Sequence, residues 1–333
     1  MNKIAVGIVF STLMFGQAPG VQDRTFRFAY APTVQQINEI STVIRAITDI
    51  KTEVNTDAKT MVATGTPDQL SVVSWLFSEL DRPGNQQPDA HTQAVLEQKM
   101  AGVGSENIVR IFYVPYAQTL QQFQEIATAV RSVTEIRRMF TYNAPRAIVT
   151  RGTADQTAAA AWLFDVLGQT PAANAPPATY RMPPPSSLRE GLDDVLSLIY
   201  LPNTPTAQDF QELATLIRST ADIRRLFVYN ATRALVLRGS SQQDALAAWL
   251  AQQLDASPTH SPAAYSYPEG DAHDVHIFYL PASLPVDDFQ RRVQSVRSQT
   301  KIPRTFTYNR LRAAVMRGNI NQIEQAAVLF GEN

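Results

Sequence analysis

Apolar residues along this chain alternate between two periods, and the alternation recurs four times. Its clearest opening run is Val195-Leu196-Ser197-Leu198-Ile199-Tyr200-Leu201, short and apolar enough for a buried strand. Pro202 then ends that strand, since proline cannot donate to a ladder. A helical period follows, with Phe210, Leu213, Ala214 and Ile217 on one face and Thr206 placed to cap it. The same stripe reads Phe123, Ile126, Ala127 and Val130 earlier in the chain, and Ile37, Ile40, Ile44 and Ile47 earlier still. The last instance keeps Phe289, Val293 and Val296 but sets Arg292 inside the stripe. Two strands in hairpin arrangement come next, one through Leu226 to Tyr229 and one through Arg233 to Arg238, around the polar turn Asn230-Ala231-Thr232. Asn143 and Asn309 hold the same turn position, where asparagine tolerates left-handed backbone angles. Ser240 and Ser241, or Thr66 and Thr153, are candidate caps for a second helix, which in the third copy ends at Asp255.

Fixed landmarks make the repetition certain. Tyr30, Tyr113, Tyr200 and Tyr279 each stand two residues before Pro32, Pro115, Pro202 and Pro281. Gly65, Gly152, Gly239 and Gly318 follow at intervals of 87, 87 and 79 residues. Ten residues beyond the first three lie Trp75, Trp162 and Trp249, and Val328 takes that place in the fourth. Each tryptophan is read as the plug between second helix and sheet, with a ligand-stacking aromatic as the rival. On that reading, Val328 costs the fourth copy core volume and local stability.

The copies define module 1 at 24–82, module 2 at 107–168, module 3 at 193–255 and module 4 at 273–333. Residues 83–106, 169–192 and 256–272 are proline-rich linkers, the second holding Pro171, Pro176, Pro177, Pro183, Pro184 and Pro185. This spacing predicts beads on a string, with docking between neighbours open. Tyr180-Arg181-Met182 and Tyr265-Ser266-Tyr267 in the linkers are candidates for an added edge strand. Residues 1–20 read as a secretory signal peptide: Lys3, an apolar stretch from Ile4 to Phe15, then small Ala18 and Gly20. No later run is apolar for long enough to span a bilayer.

Composition narrows the chemistry. The 333 residues carry a net charge of −1 and no cysteine. That balance gives no field for nucleic acid, and the missing thiols exclude disulfides, zinc–thiolate sites and a cysteine nucleophile. Of the four histidines, His91 and His260 fall in linkers, while His273 and His276 flank Asp274 at a spacing that splits them across a strand. Phosphate-loop and nucleophile-elbow motifs are absent. The expectation is therefore no catalytic residue, no cofactor and no metal. Arginines recur instead. Arg45, Arg131, Arg218 and Arg297 share one helix position, Arg137-Arg138 and Arg224-Arg225 follow that helix, and Arg151, Arg238 and Arg317 end a strand. They fit helix-end electrostatics and ion pairs, or else a strip that binds an anion or a partner. For that strip the candidates are Arg131, Arg218, Arg297, Arg138 and Arg225.

A strand ending in Tyr-x-Leu-Pro, then a helix, then Phe227-x-Tyr229-Asn230 through Ala234-Leu235-Val236-Leu237-Arg238-Gly239-Ser240, then a helix with Trp249 and a closing Leu254-Asp255 resembles the periplasmic N-domain repeats of bacterial secretins. Leu80-Asp81 repeats that ending, whereas the second copy has Leu167-Gly168. The resemblance implies an α+β fold of four tandem β-α-β-β-α modules. Each would be a three-stranded mixed sheet with two helices on one face, in a KH-like topology. The Gly-x-x-Gly clamp of KH domains is missing, so nucleic acid is not expected. The secretin pore domain has no counterpart after the fourth module. The expected role is a periplasmic or otherwise exported interaction or scaffold protein, with envelope or secretion-system proteins as partners and self-association open. The alternative is a module that binds an envelope polymer or anionic ligand through the arginines.

Overall fold

The computed structural model describes residues 20–84, 95–100, 104–169, 176–183, 193–255, 262–266 and 274–331. The signal-peptide stretch, His91, His260, His273 and much of the proline-rich linkers lie outside the described residues. Module 1 comprises β1 (Gln22–Arg27), α1 (Val34–Thr48), β2 (Lys51–Asn55), β3 (Thr60–Gly65) and α2 (Pro67–Leu80). Module 2 comprises β4 (Val95–Lys99), β5 (Ile108–Tyr113), α3 (Leu120–Thr134), β6 (Arg138–Tyr142), β7 (Ala147–Gly152) and α4 (Ala154–Leu167). Module 3 comprises β8 (Ala178–Arg181), β9 (Val195–Tyr200), α5 (Ala207–Thr220), β10 (Arg225–Tyr229), β11 (Ala234–Gly239) and α6 (Ser241–Leu254). Module 4 comprises β12 (Ala263–Tyr265), β13 (Asp274–Tyr279), α7 (Val286–Thr300), β14 (Arg304–Tyr308), β15 (Ala313–Gly318) and α8 (Ile320–Phe330). The chain divides into two compact units, Met1–Gln169 and Thr170–Asn333, each holding two modules.

Local chemistry sets the helices. Seven of the eight described helices begin with a capping box, Thr33, Thr66, Thr119, Thr153, Thr206, Ser240 and Asn319 each bonding the third helical residue and being bonded in return. Thr206, Ser240, Thr66 and Thr153 thus cap where the sequence places them, whereas Ser241 is the first helical residue and not a cap. The glycine before the second helix has a steric reason. A Cβ on Gly239 would meet Oε1 of Gln243, the capping-box glutamine, at 2.9 Å.

The sheets differ from expectation in two ways. The orders are β1-β3-β2, β4-β5-β7-β6, β8-β9-β11-β10 and β12-β13-β15-β14, and every ladder is antiparallel rather than mixed. The helix crossover makes the first two core strands of a module run the same way. The third strand then inserts between them, so the parallel pair never touches. Second, spans read as linkers supply edge strands: β4, β8 and β12 each add to the core strand that follows. Tyr180 and Tyr265 pair in two of them, as the weak linker signal suggested.

The tryptophans are not the plugs. Trp75, Trp162 and Trp249 are half-buried, while their neighbours Leu76, Leu163 and Leu250 are fully buried. Trp249 lies against Tyr265 of the added edge strand, with ring centroids 5.4 Å apart. Val328 at the equivalent position is 70% exposed, so the fourth copy loses no core volume there. The polar turn is corrected too. Left-handed backbone falls on Arg146, Arg233 and Arg312 (φ 53°, 53° and 51°), not on the asparagines.

Candidate functional site

Helix α1 carries two apolar stripes. One is Ile37, Ser41, Ile44 and Thr48, which faces the sheet of its own module together with buried Met61 and Ala63. The second, Ile40, Val43 and Ile47, points away from that sheet yet is at most 1% exposed. What covers it is the sheet of module 2. Residues paired across a ladder point to the same face, and one face of that sheet bears Val109–Arg151–Arg138, Ile111–Val149–Phe140 and Tyr113–Ala147–Tyr142. Val109, Ile111, Tyr113, Tyr142, Ala147 and Val149 join the module 1 core in one continuous cluster. The other face, with Phe112 against Phe164 at 4.6 Å between ring centroids, packs on the helices of module 2 itself. Burial of both faces explains strands that read as nearly continuous apolar runs.

Residues 193–331 repeat this geometry. The outer stripe of α5 is Leu213, Leu216 and Thr220, all buried. Leu213 and Leu216 lie in a cluster shared with Val275, Ile277, Tyr308, Ala313 and Val315 of module 4. Within each unit the modules therefore stack with a common core, in solenoid fashion. Beads on a string is corrected for these pairs, because a helix layer with two apolar faces needs a sheet on each side.

A polar rim locks each stack. Arg151, 4% exposed, donates to the Ile47 carbonyl and, at 2.7 Å, to Asp49, which closes α1 in a left-handed conformation. Arg138 bonds the same Asp49 at 2.7 Å and Glu106 at 3.2 Å. Cations at a helix C-terminus meet the negative end of its dipole. In the other unit Arg317 donates to the Thr220 carbonyl at 2.9 Å, and Arg304 pairs with Asp222 at 2.8 Å. The asparagines also serve here. The Asn143 amide and Nδ2 donate to Glu39 at 3.0 Å each, and the Asn309 amide donates to Glu212 at 2.8 Å. Burial alone would raise the Asp49 pKa, but the hydrogen bonds from Arg151 and Arg138 outweigh it and the net shift is downward. Its contribution to the stack is thus present above the usual carboxylate pKa and lost as pH falls through the lower folded value. Glu212 goes the other way, raised chiefly by burial.

The five candidate arginines do not converge. Arg131 donates to the Met139 carbonyl of its own module, and Arg218 to the Arg224 carbonyl at 3.4 Å. Arg297 stands exposed in the last turn of α7. Arg138 is in the stacking rim, and Arg225 pairs with Asp193 at 2.9 Å. Arg45 lines a shallow hollow of about 350 Å³ between α1 and β2, with Asn38, Thr42 and Thr52. Among the described residues, no group of three or more His, Asp or Glu is placed to hold a metal, and no helix is long and apolar enough to cross a membrane.

The Leu-Asp ending has its own function. Asp81 accepts the backbone N–H groups of Ala29, Tyr30 and Ala31 at 2.7, 3.0 and 2.8 Å, tying the end of α2 to the turn after β1. Asp255 accepts the Asn203 amide at 3.2 Å in module 3 and is 7% exposed. Burial pushes its carboxyl up to about 6 from 3.8, partly opposed by the bonds from Asn203. A raised acid binds its proton more tightly folded than unfolded, so its stability contribution grows as pH falls through 6 toward 3.8. Asp255→Asn should remove that growth, worth on the order of 2–3 kcal/mol across the window. Melting temperatures of both proteins from pH 7 to pH 4 check it; a constant difference between them would rule it out.

No family model matches the chain, and no curated protein matches it. Among solved structures it is similar to Aeromonas hydrophila ExeD (10% identity, 72% of this chain and 42% of that one, TM-score 0.16). It is also similar to the ETEC pilotin–secretin AspS–GspD complex (9%, 93% and 55%, TM-score 0.16) and to aspartate kinase from Synechocystis (12%, 94% and 54%, TM-score 0.17). The chain thus spans about half the length of these structures, and overlays this loose carry no argument about its fold or role.

Proposed function

We propose that the chain is a non-catalytic, exported scaffold whose stacked modules present helix ends and sheet edges to protein partners of the cell envelope, secretion complexes among them. The observation that supports this reading is the use of the repeated arginines. Arg138, Arg151, Arg304 and Arg317 bind the helix end of the preceding module in the same unit. Of the five candidates for an anion strip, Arg138 acts as an internal fastener together with Arg151, Arg304 and Arg317, while Arg131, Arg218 and Arg225 bond within their own modules, and the repeat builds an array rather than a pocket. Arrays of this kind offer extended surfaces and many backbone edges to partners.

The test is capture of the full chain from an envelope extract under mild cross-linking, followed by size exclusion. A stoichiometric complex with one protein, formed equally well in excess phosphate, is the expected result. A lone monomer, or a melting temperature that rises with added polyphosphate and no longer does so in Arg297→Gln, would move the reading to the anionic-ligand alternative.

A further inference from the structure

We propose that the stacking interface is closed on the sheet face of module 1 and on the outer helix face of module 4, so that neither accepts a second copy of this chain. The interface has a sheet side and a helix side. On the sheet side, modules 2 and 4 use the rungs Val109–Arg151–Arg138 and Val275–Arg317–Arg304, then Ile111–Val149–Phe140 and Ile277–Val315–Phe306. Module 3 carries the same residue types, Leu196–Arg238–Arg225 and Leu198–Val236–Phe227. Module 1 carries Asp23–Thr64–Lys51 and Thr25–Val62–Glu53. Its face holds carboxylates where the others hold valine, leucine or phenylalanine, and Asp23, Thr25, Lys51 and Glu53 are exposed. Such a sheet cannot cover an apolar stripe without burying charge.

The helix side changes in module 4. Glu39 and Glu212, which accept the asparagine amide, correspond to Arg291; Asp49 and Asp222, which pair with arginine, correspond to Lys301. Helix α3 has Glu125 and Glu135 there. The outer stripe, Ile40-Val43-Ile47 in α1 and Leu213-Leu216-Thr220 in α5, becomes Arg292-Ser295-Gln299, all exposed. Lys301 keeps the left-handed conformation of Asp49 (φ 55° against 56°), so the backbone of the socket is retained while its sign is reversed. A sheet bearing two arginines would meet like charge and lose its apolar cover. This inference concerns only the interface between modules and stands apart from the choice of envelope partner.

The experiment restores one end at a time in the full chain. One variant carries Arg291→Glu, Arg292→Leu, Ser295→Leu and Lys301→Asp. The other carries Asp23→Val, Thr25→Ile, Lys51→Arg, Glu53→Phe, Asn55→Tyr and Thr64→Arg. In sedimentation, wild type and each variant alone should run as single chains, and the equimolar mixture should shift to the mass of two. Wild-type association that Arg291→Glu/Lys301→Asp abolishes would overturn the proposal, as would a mixture of folded variants that stays single. The reciprocal change guards against misfolding. Glu212→Arg/Asp222→Lys puts the terminal charges into a working socket, and hydrogen exchange at the Asn309 amide should quicken by roughly tenfold or more while the β9–β11 core stays protected. Unchanged protection at Asn309 would also sink the idea.

Discussion

Replacing Arg151 with alanine is expected to lower the unfolding free energy of residues 20–169 by about 2–3 kcal/mol, the scale for losing charge-assisted hydrogen bonds and stranding a buried acceptor, since its partner Asp49 is half-exposed and keeps Arg138. The guanidinium is 4% exposed, between the end of α1 and the sheet of module 2. Its loss leaves the Ile47 carbonyl without this donor, reduces Asp49 to the bond from Arg138, and opens a hole where the side chain lay. Arg317→Ala removes the equivalent donor to Thr220, but that arginine is only half-buried and its carboxylate, Asp222, is held by Arg304. Its effect should be smaller, about 1–2 kcal/mol. Urea unfolding of the two variants checks the ranking. Equal losses would mean that burial does not set the strength of the fastener. Arg151→Lys should recover only part of the loss, since an ammonium cannot serve a carbonyl and a carboxylate in the same fork.

The second large effect belongs to Asp81. Its carboxylate receives three backbone N–H groups, at Ala29, Tyr30 and Ala31, and is 7% exposed. Asp81→Ala strands all three donors, and a buried donor without a partner costs about 1–3 kcal/mol. Part of that returns as water enters, so a loss of about 3 kcal/mol is expected. Asp81→Asn keeps an acceptor and should fall between. Thermal unfolding with amide exchange at residues 29–31 checks this. Fast exchange there with an unchanged melting temperature would show that the turn is dispensable to module 1.

How legible these features were follows from their range. Caps are local: Thr66 or Ser240 and the glutamine three residues on announce a helix without any knowledge of the fold. The inner stripe of each first helix is equally plain. The outer stripe was half visible, since Ile40 and Ile47 stood among the apolar positions, but one helix with two stripes reads like one helix with a broad face. Arg151 was visible as a repeated arginine, while its partner Asp49 lies 102 residues earlier and nothing local joins them. Asn143 misled for a related reason: its type suits a left-handed turn, yet its neighbour Arg146 takes that conformation and the asparagine bonds Glu39. Strand order was beyond periodicity altogether, because a period of two reports which face a residue takes and not which strand lies beside it. Arg292 was visible but its meaning was not. A charge inside an otherwise apolar stripe marked a helix whose second face, with Arg292, Ser295 and Gln299, is exposed.

The double-striped helix also sets an order of events. Chains are made from their N-terminus, so α1 is complete at Thr48 well before β5 begins at Ile108. Module 1 can close its own sheet over Ile37 and Ile44 at once, but Ile40, Val43 and Ile47 stay bare until the strands of module 2 arrive. During that interval the nascent protein carries a sticky ridge, flanked by Glu39 and Asp49, that any passing apolar strand could occupy. Glu39 and Asp49 would then favour the sheet that brings Asn143, Arg138 and Arg151 over a strand without matching groups.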